Sequence, residues 1–457
     1  MHFLKKAEVE LLDKEDQKHL ADNLANLAVE TQESLSQLPD LVLAKKQAKN
    51  IRHQALKNLD SHLIRFEEKI KERKGKVYWA EDTPQAIDII LKLIKQTQPK
   101  SIFTGNASEL QEIELEGVLQ DQKIDFHSTE IGQFLLRYLR KKSRHPVHHL
   151  ISENEDKLKQ ILRQIFAKED TANSPPTDLI SLLEKYKETI IQYFDFPVMG
   201  ITNADFLLAD SGGIFVSDNQ GSQSWLASCS NIHIVVAGIE RVLPTSNDLQ
   251  HILPLYSAYH YGKPHSSFNT LLYGPLQEEE IDGPTQLYVI LLDNGRSTLL
   301  NSPWREMLYD MECSAPLNTC PVYHNLQQQH YHAQFTGIAG AILTPLLYEG
   351  EDYPILPFLH LTEQDEQENL FNMNTEKMLL KTRKEVLDKQ PLNRVDKFVK
   401  KQWTEALLDK KKLKNLNSGL QAFLFKKAFQ QSLGSQTQLP NFAKQSFHDW
   451  WQTNEIK

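Results

Sequence analysis

Residues 309–324 read YDMECSAPLNTCPVYH and hold two of the chain's three cysteines, Cys313 and Cys320, the second followed at once by Pro321. A Cys-Pro ending closes the run C-x2-C-x2-C-x3-C-P, whose thiolates ligate iron–sulfur clusters. Counted back from Cys320, its four ligand positions fall on Asp310, Cys313, Pro316 and Cys320. Proline offers no donor atom, and the fourth cysteine of such a run serves a second cluster. The two thiols would therefore not share one cluster, and the run reads as degenerate, with no cofactor expected. Zinc is a second reading, because Cys313, Cys320, His324, His330 and His332 lie within twenty residues. Paired C-x2-4-C knuckles, usual in structural zinc sites, are missing. Two buried, unreactive thiols are the third reading.

A second group of candidates lies in turns. In ADSGG, Asp210, Ser211, Gly212 and Gly213 join two apolar segments. Ser211 is a candidate nucleophile on a strand-ending turn, but the G-x-S-x-G elbow is absent. Asp210 reads equally as an Asx-turn residue and Ser211 as a hydroxyl bonded to backbone. Gly212 and Gly213 let N–H groups approach an anion closely. Arg241 and Arg296, each just past an apolar strand and a glycine, suit a bidentate clamp. Glu240 either contributes a carboxylate or holds Arg241, and Asn294 lies in the neighbouring DNG turn. The expected ligand is a small organic anion. There is no Walker A sequence and no G-x-G-x-x-G.

The elements that must position these turns follow from periodicity. Residues 1–75 read as a helical arm, with Leu20, Leu24 and Leu27 at helical spacing and charged residues on the other face. From Lys76 short apolar runs alternate with helices: KVYWA, a helix capped by Thr83 with Pro84 at its first turn, SIFTG, a helix over 108–120, and KIDFHST. Strands separated by single helices imply parallel pairing and an α/β sheet. A helical insertion spans roughly 152–194, and NIHIVVAG and QLYVILL supply further buried strands. Ligands of open α/β sheets bind beyond the carboxyl ends of the strands, which points to the turns at 104–106, 210–213, 238–241 and 293–296. The expected organisation is a helical arm (1–75), an α/β domain (76–300), a degenerate ferredoxin-like segment (301–372) and a basic helical region (373–457).

Composition narrows the function classes. A net charge of -9 over 457 residues exerts no global pull on nucleic acid or anionic membrane. No apolar run reaches the ~18 residues of a membrane span, and MHFLKKAEVELLDKEDQ has charges where a signal peptide needs an apolar core. Three cysteines make no disulfide framework, so a cytoplasmic, reduced protein is expected. Residues 349–370 carry seven acidic and no Lys or Arg side chains, whereas 376–427 carry fifteen Lys/Arg against six Asp/Glu. The apolar stripe through Leu379, Leu380, Val386, Leu387, Phe398 and Val399 favours solvated amphipathic helices over a nucleic-acid surface.

The segments GITNADFLLADSGGIFV, HIVVAGIERVLPT, EIDGPTQLYVILLDNGRS, LNTCPVYH, GAILTPLL and SFHDWW, in that order, carry a resemblance. Over roughly 76–457 the chain resembles the lactate-utilisation (LUD) domain family, and within it the protein B type, the iron–sulfur subunits of a bacterial L-lactate oxidation complex. The resemblance implies an α/β fold of the NagB/RpiA/CoA-transferase-like kind with helical N- and C-terminal extensions. It also implies a role in oxidising L-lactate to pyruvate beside other lactate-utilisation subunits. The family's first cysteine run keeps two cysteines here, and the region of its second, LPFLHLTEQDEQENLF, has none. Thr104, Gly105 and Asn106 replace a Lys/Ser-rich turn, and Gln133 replaces an acidic residue. The 4Fe-4S clusters of the family are therefore expected to be absent. The reading is a cluster-less subunit that organises a complex or binds its organic anion. The alternatives are an independent LUD enzyme of isomerase or acyl-transfer type and a structural or regulatory homodimer.

Overall fold

Strands buried on both faces read as unbroken apolar runs, and NIHIVVAG and QLYVILL are such runs. The computed structural model describes residues 14–105, 107–138, 153–169, 176–311, 337–350, 353–358 and 369–389, with isolated positions such as 318, 320, 323 and 335. Helices α1 (Lys14–Ser36), α2 (Leu41–Lys57) and α3 (Leu59–Glu72) precede β1 (Lys76–Ala80), α4 (Thr83–Thr97) and β2 (Ser101–Thr104). Then come α5 (Ser108–Glu112), α6 (Leu115–Asp121), β3 (His127–Ser128), α7 (Ile131–Tyr138), α8 (Glu155–Glu169) and α9 (Leu179–Gln192). The second half holds β4 (Val198–Asn203), β5 (Phe206–Leu208), β6 (Gly213–Asp218), α10 (Ser222–Cys229), β7 (Ile232–Gly238) and β8 (Val242–Leu243). It continues with α11 (Leu249–Tyr261), β9 (Phe268–Leu272), β10 (Gln286–Leu292), α12 (Arg296–Leu300) and α13 (Gly337–Leu347).

The α/β class holds. Six strands pair in the order β1-β10-β7-β4-β2-β3, all parallel. A smaller sheet, β8-β5-β6-β9, is mixed, with the β5–β6 hairpin antiparallel and β8 parallel to β5. Along β7 the two-residue period divides the side chains between two cores. Ile232, Ile234 and Val236 pack with the helices that follow β1 and β2, while Val235 and Ala237 pack with the second sheet, α2, α3, α11 and α13. Each of the buried valines and isoleucines among them stabilises the fold by roughly 1.5–3 kcal/mol. A third core joins α8 and α9 to Phe103, Val198 and Leu226.

Several local expectations are corrected. The N-cap of α4 is Asp82, whose carboxylate accepts from the Gln85 amide at 2.9 Å, one residue before Thr83. The helix expected over 108–120 breaks into α5 and α6 at Glu114, which sits at φ 51°. The third strand shrinks to His127–Ser128, and β9 had no sequence signal. From the helical arm, Ala48, Leu56, Leu63, Phe66 and Ile70 share a core with β5, β6, β10 and residues 338–343. The chain forms two compact units, Glu10–Arg383 and a second made of Met1–Val9 with Lys384–Lys457. Among the described residues no helix is long and apolar enough to cross a membrane.

One polar residue sits inside the central strand. His233 is fully buried, its Nε2 2.9 Å from Thr202 Oγ1, and burial pushes its pKa down from 6.5 to about 4. The folded state therefore holds it neutral, and the unfolded chain takes up the proton first. Stability from this group is complete above about pH 6.5 and falls as the pH drops toward 4, by on the order of 3 kcal/mol. Urea-unfolding midpoints of the wild type and His233→Gln should converge as the pH is lowered from 7 to 4.5. Parallel curves would show that the histidine is not held neutral.

Candidate functional site

The carboxyl ends of β2, β4, β7 and β10 bring charged side chains together. β7 ends at Gly238, and the turn Ile239–Arg241 leads into β8. β10 ends at Leu292, and Asn294 (φ 45°) and Gly295 (φ 90°) bend the chain so that Arg296 starts α12. β2 leads into α5, whose Glu109 and Glu112 lie three apart, on one side of the helix, and are both buried. Asn203 is the last residue of β4.

These groups form one ion network. Arg296 donates from Nη1 to Glu112 Oε1 at 2.9 Å and from Nη2 to Glu112 Oε2 at 2.7 Å, a fork-to-fork pair. Its Nε lies 2.5 Å from Glu240 Oε2. Asn294 Nδ2 donates to Glu112 Oε1 at 2.6 Å and to the Tyr348 hydroxyl at 2.8 Å. Arg241 Nε donates to Glu109 Oε1 at 3.0 Å and lies 3.7 Å from Glu240 Oε1, while Asn203 Nδ2 donates to Glu109 Oε2 at 3.1 Å. Arg52 of α2, 1% exposed, donates to the carbonyls of Glu240, Val242, Leu308 and Tyr309 at 2.7, 3.1, 2.8 and 3.0 Å. Three guanidiniums thus balance three carboxylates, all six buried.

The electrostatics follow from that enclosure. Burial opposes the charge on Arg296, but Glu112, Glu240 and Glu109 hold its pKa above the ordinary guanidinium value. Burial pushes Arg52, which has carbonyl partners, down to about 10. Burial works to raise the Glu109 carboxyl, yet Arg241 and Arg296 outweigh it and the net direction is down. Gly238 is required here: a Cβ at that position would overlap the Glu240 carboxylate and lie 2.6 Å from Arg296 Nε.

Of the residues singled out from sequence, Glu240, Arg241, Asn294 and Arg296 are brought together. The guanidiniums expected to clamp an anion are each engaged by glutamates of the chain itself. The Asp210–Gly213 turn lies elsewhere, at the far end of the β5–β8 strand pair from Arg241. Asp210 accepts from Ser246 N and Oγ, each at 2.9 Å, and Ser211 Oγ lies 3.0 Å from Ser246 Oγ. The two amides expected to form an anion nest are both engaged within the turn, Gly212 N with the Leu208 carbonyl and Gly213 N with Ser211 Oγ. Gly212, at φ 69°, would clash with Lys69 of α3 if it carried a Cβ. Among the described residues neither histidine nor carboxylate hydrogen-bonds Ser211 directly.

Two positions of the degenerate cluster run, Asp310 and Cys320, lie among the described residues. Asp310 is 5% exposed, and its Oδ2 lies 3.2 Å from His260 Nε2. Tyr256 stacks on that imidazole at 4.1 Å and donates its hydroxyl to Asp205 Oδ1 at 2.7 Å. Cys320 packs in an apolar cluster with Leu20, Leu24, Tyr323 and Leu356. Cys313, Pro316, His324, His330 and His332 lie outside the described residues. Among the described residues no group of three or more His, Cys, Asp or Glu could hold a metal ion.

Arg52, Glu109, Glu112 and Asn203 were not legible as site residues. The i,i+3 glutamate pair just after β2 was the available signal, whereas Arg52 looked like one more charge on a solvated helix face.

Comparison with known proteins places this geometry in a family. Residues 63–292 match the family model described as the LUD domain. Lactate utilization protein B of Geobacillus thermodenitrificans (strain NG80-2) is 30% identical over 311 residues, covering 68% of this chain and 64% of that protein. The proteins of the same name from Anoxybacillus flavithermus (strain DSM 21510 / WK1) and Bacillus cereus (strain Q1) are also 30% identical, over 67% of this chain and 64% of each relative. The matched stretch is thus just under two thirds of each relative's length. No solved structure matches.

Removing one partner of a buried ion pair costs about 3–5 kcal/mol, because the other charge stays behind unpaired. Arg296→Met should therefore lower the thermal midpoint by on the order of 10 °C. Adding Glu112→Leu to that variant should recover part of the loss, as Glu240 keeps Arg241 nearby. Additive losses would show that the pair is not coupled. Gly238→Ala should destabilise by about 1–3 kcal/mol through overpacking, read by the same melting experiment.

Proposed function

The chain belongs to the LUD domain family, and from that premise we propose that it serves L-lactate oxidation to pyruvate, in the cytoplasm, as a non-redox component that organises a complex with other lactate-utilisation subunits. The observation that carries this reading is the closed network at the carboxyl edge. Glu109, Glu112, Glu240, Arg241 and Arg296 are paired with one another and buried. An edge tied off in this way holds a shape; it leaves none of those five as an exposed acid or base for catalysis. The non-redox part rests on Asp310 being engaged by His260 and on the apolar packing around Cys320.

A second reading keeps the organic anion. The Glu240 carboxylate lies between both guanidiniums, 2.5 Å from Arg296 Nε and 3.7 Å from Arg241 Nε. That is the position a ligand carboxylate would take if Glu240 swung away.

Iron and acid-labile sulfide, measured on protein purified without oxygen, should stay at trace levels per chain; stoichiometric iron would sink the non-redox reading. The tagged chain, recovered under native conditions from its own cells, should bring down the other lactate-utilisation subunits. Recovery of a second copy of itself alone would favour the homodimer instead.

A further inference from the structure

The smaller sheet ends on an edge that the chain leaves open. Its order is β8-β5-β6-β9, so β9 pairs on one side only, antiparallel to β6. A free edge presents a row of unpaired N–H and C=O groups, and proteins usually blunt it with charge, proline, a bulge or extreme shortness. β8 and β3 are two residues long, and β1 begins on the exposed Lys76. β9 has none of these devices. It reads FNTLL, without charge or proline, and pairs with β6 residue for residue. Phe268 is 47% exposed, Leu271 is 37% exposed, and Asn269 between them is exposed as well.

Register decides which backbone groups face outward. The Asp205 amide donates to the Phe215 carbonyl, and the Ser217 amide donates to Asp205 Oδ2, so the polar groups of Phe215 and Ser217 point toward β5. Backbone direction alternates along an antiparallel strand. Those of Ile214, Val216 and Asp218 therefore point toward β9, where they meet Leu272, Thr270 and Phe268. That leaves the N–H and C=O of Asn269 and Leu271 on the outer side. Among the described residues none of these four groups has a hydrogen-bond partner.

The open edge is complementary to itself. Two copies related by a two-fold axis pair antiparallel across it. Centring the axis on Thr270 sets Asn269 of each copy opposite Leu271 of the other, which engages every outward group. In that register Phe268 lies opposite Leu272 of the second copy, so its exposed ring gains apolar cover. The ends match in charge as well. Lys263 and His265 precede the strand, whereas Glu278, Glu279, Glu280 and Asp282 follow it, all exposed. Arg73, over the Tyr273 ring at 5.0 Å, lies at the trailing end too and leaves it net negative. Antiparallel pairing sets each leading end against the other copy's trailing end. We propose that β9 joins the β9 of a second copy of this chain, making one continuous sheet across a two-fold dimer. The pairing stands independently of the lactate reading, because β9 belongs to the second sheet and not to the ion network.

Sedimentation equilibrium of the full chain over a concentration series should show reversible association to twice the chain mass. Leu271→Pro removes one outward N–H and none of the bonds to β6. It should melt close to the wild type and weaken association about tenfold or more. The two copies of Thr270 form a non-hydrogen-bonded pair with Cα atoms about 4.5 Å apart, within the span of a disulfide. Thr270→Cys should therefore cross-link to a dimer on mild oxidation where the wild type, with its exposed Cys229, does not. That result is expected whether or not Leu271→Pro folds. A chain that stays monomeric throughout the series overturns the proposal. So does a dimer that folded Leu271→Pro leaves as tight, or one that Thr270→Cys fails to cross-link, because another surface then holds it. A monomer that loses a different subunit on Leu271→Pro also overturns it, since β9 then takes the strand of an unlike partner.

Discussion

The fold depends on charges that cannot be left alone. Moving a carboxylate or a guanidinium out of water costs several kcal/mol even after relaxation, and six such groups sit together beyond the sheet's carboxyl edge. Their mutual pairing makes the arrangement tolerable, and the pairing requires elements far apart in sequence. Arg52 comes from the second helix, Glu109 and Glu112 from the helix after β2, Glu240 and Arg241 from the turn after β7, and Arg296 from the turn after β10. Among the described residues Arg52 hydrogen-bonds no carboxylate and instead binds four carbonyls, two near 240 and two near 308. It ties the segment that follows the sheet to the turn inside it, which is why the helical arm and residues 305–309 belong to one body.

Gly238 shows how the backbone serves the network. Ion pairs of 2.5–2.9 Å need the β7 turn to pass close to Arg296 and Glu240, and any side chain at 238 would occupy the space of the carboxylate. Gly212 has a similar relation to α3, where left-handed φ and the approach of Lys69 both exclude a Cβ. In the sequence Gly212 had looked like an opening for a ligand, and Gly238 only like the start of a strand-ending turn. In the structure the space is filled by the chain's own groups.

Legibility from sequence followed the range of the interactions. The parallel sheet was readable because a run such as NIHIVVAG reports burial on both faces locally. The hairpin at 206–218 was readable because Asp-Ser-Gly-Gly marks a turn between apolar runs. Helix 108–120 misled, since its composition is helical throughout and only Glu114, in the left-handed region, breaks it. Glu240, Arg241, Asn294 and Arg296 were singled out because strand ends predict where a site gathers. Their partners were not, because which carboxylate meets which guanidinium depends on long-range packing. Arg52 and Asp310 illustrate the limit. One sits on a helix with charges all around it and the other on a motif that suggests a metal, yet both end in the core with partners more than forty residues away.

The same closure shapes what recognition the molecule can support. A site built on free arginines would select its ligand by charge, and the sequence invites that expectation. Once the arginines are matched by glutamates, the net charge of the group is zero and net charge alone no longer selects a ligand there. Asn203 stands at that boundary: one end of its amide belongs to the ion network through Glu109, and the other, its buried Oδ1, accepts no hydrogen bond from a described residue. Rigidity of the network then fixes the direction of the acceptor, since the amide cannot turn without surrendering its bond to a buried carboxylate. A pre-oriented neutral acceptor discriminates by the presence or absence of a donor, because a ligand lacking it leaves a buried oxygen unpaired.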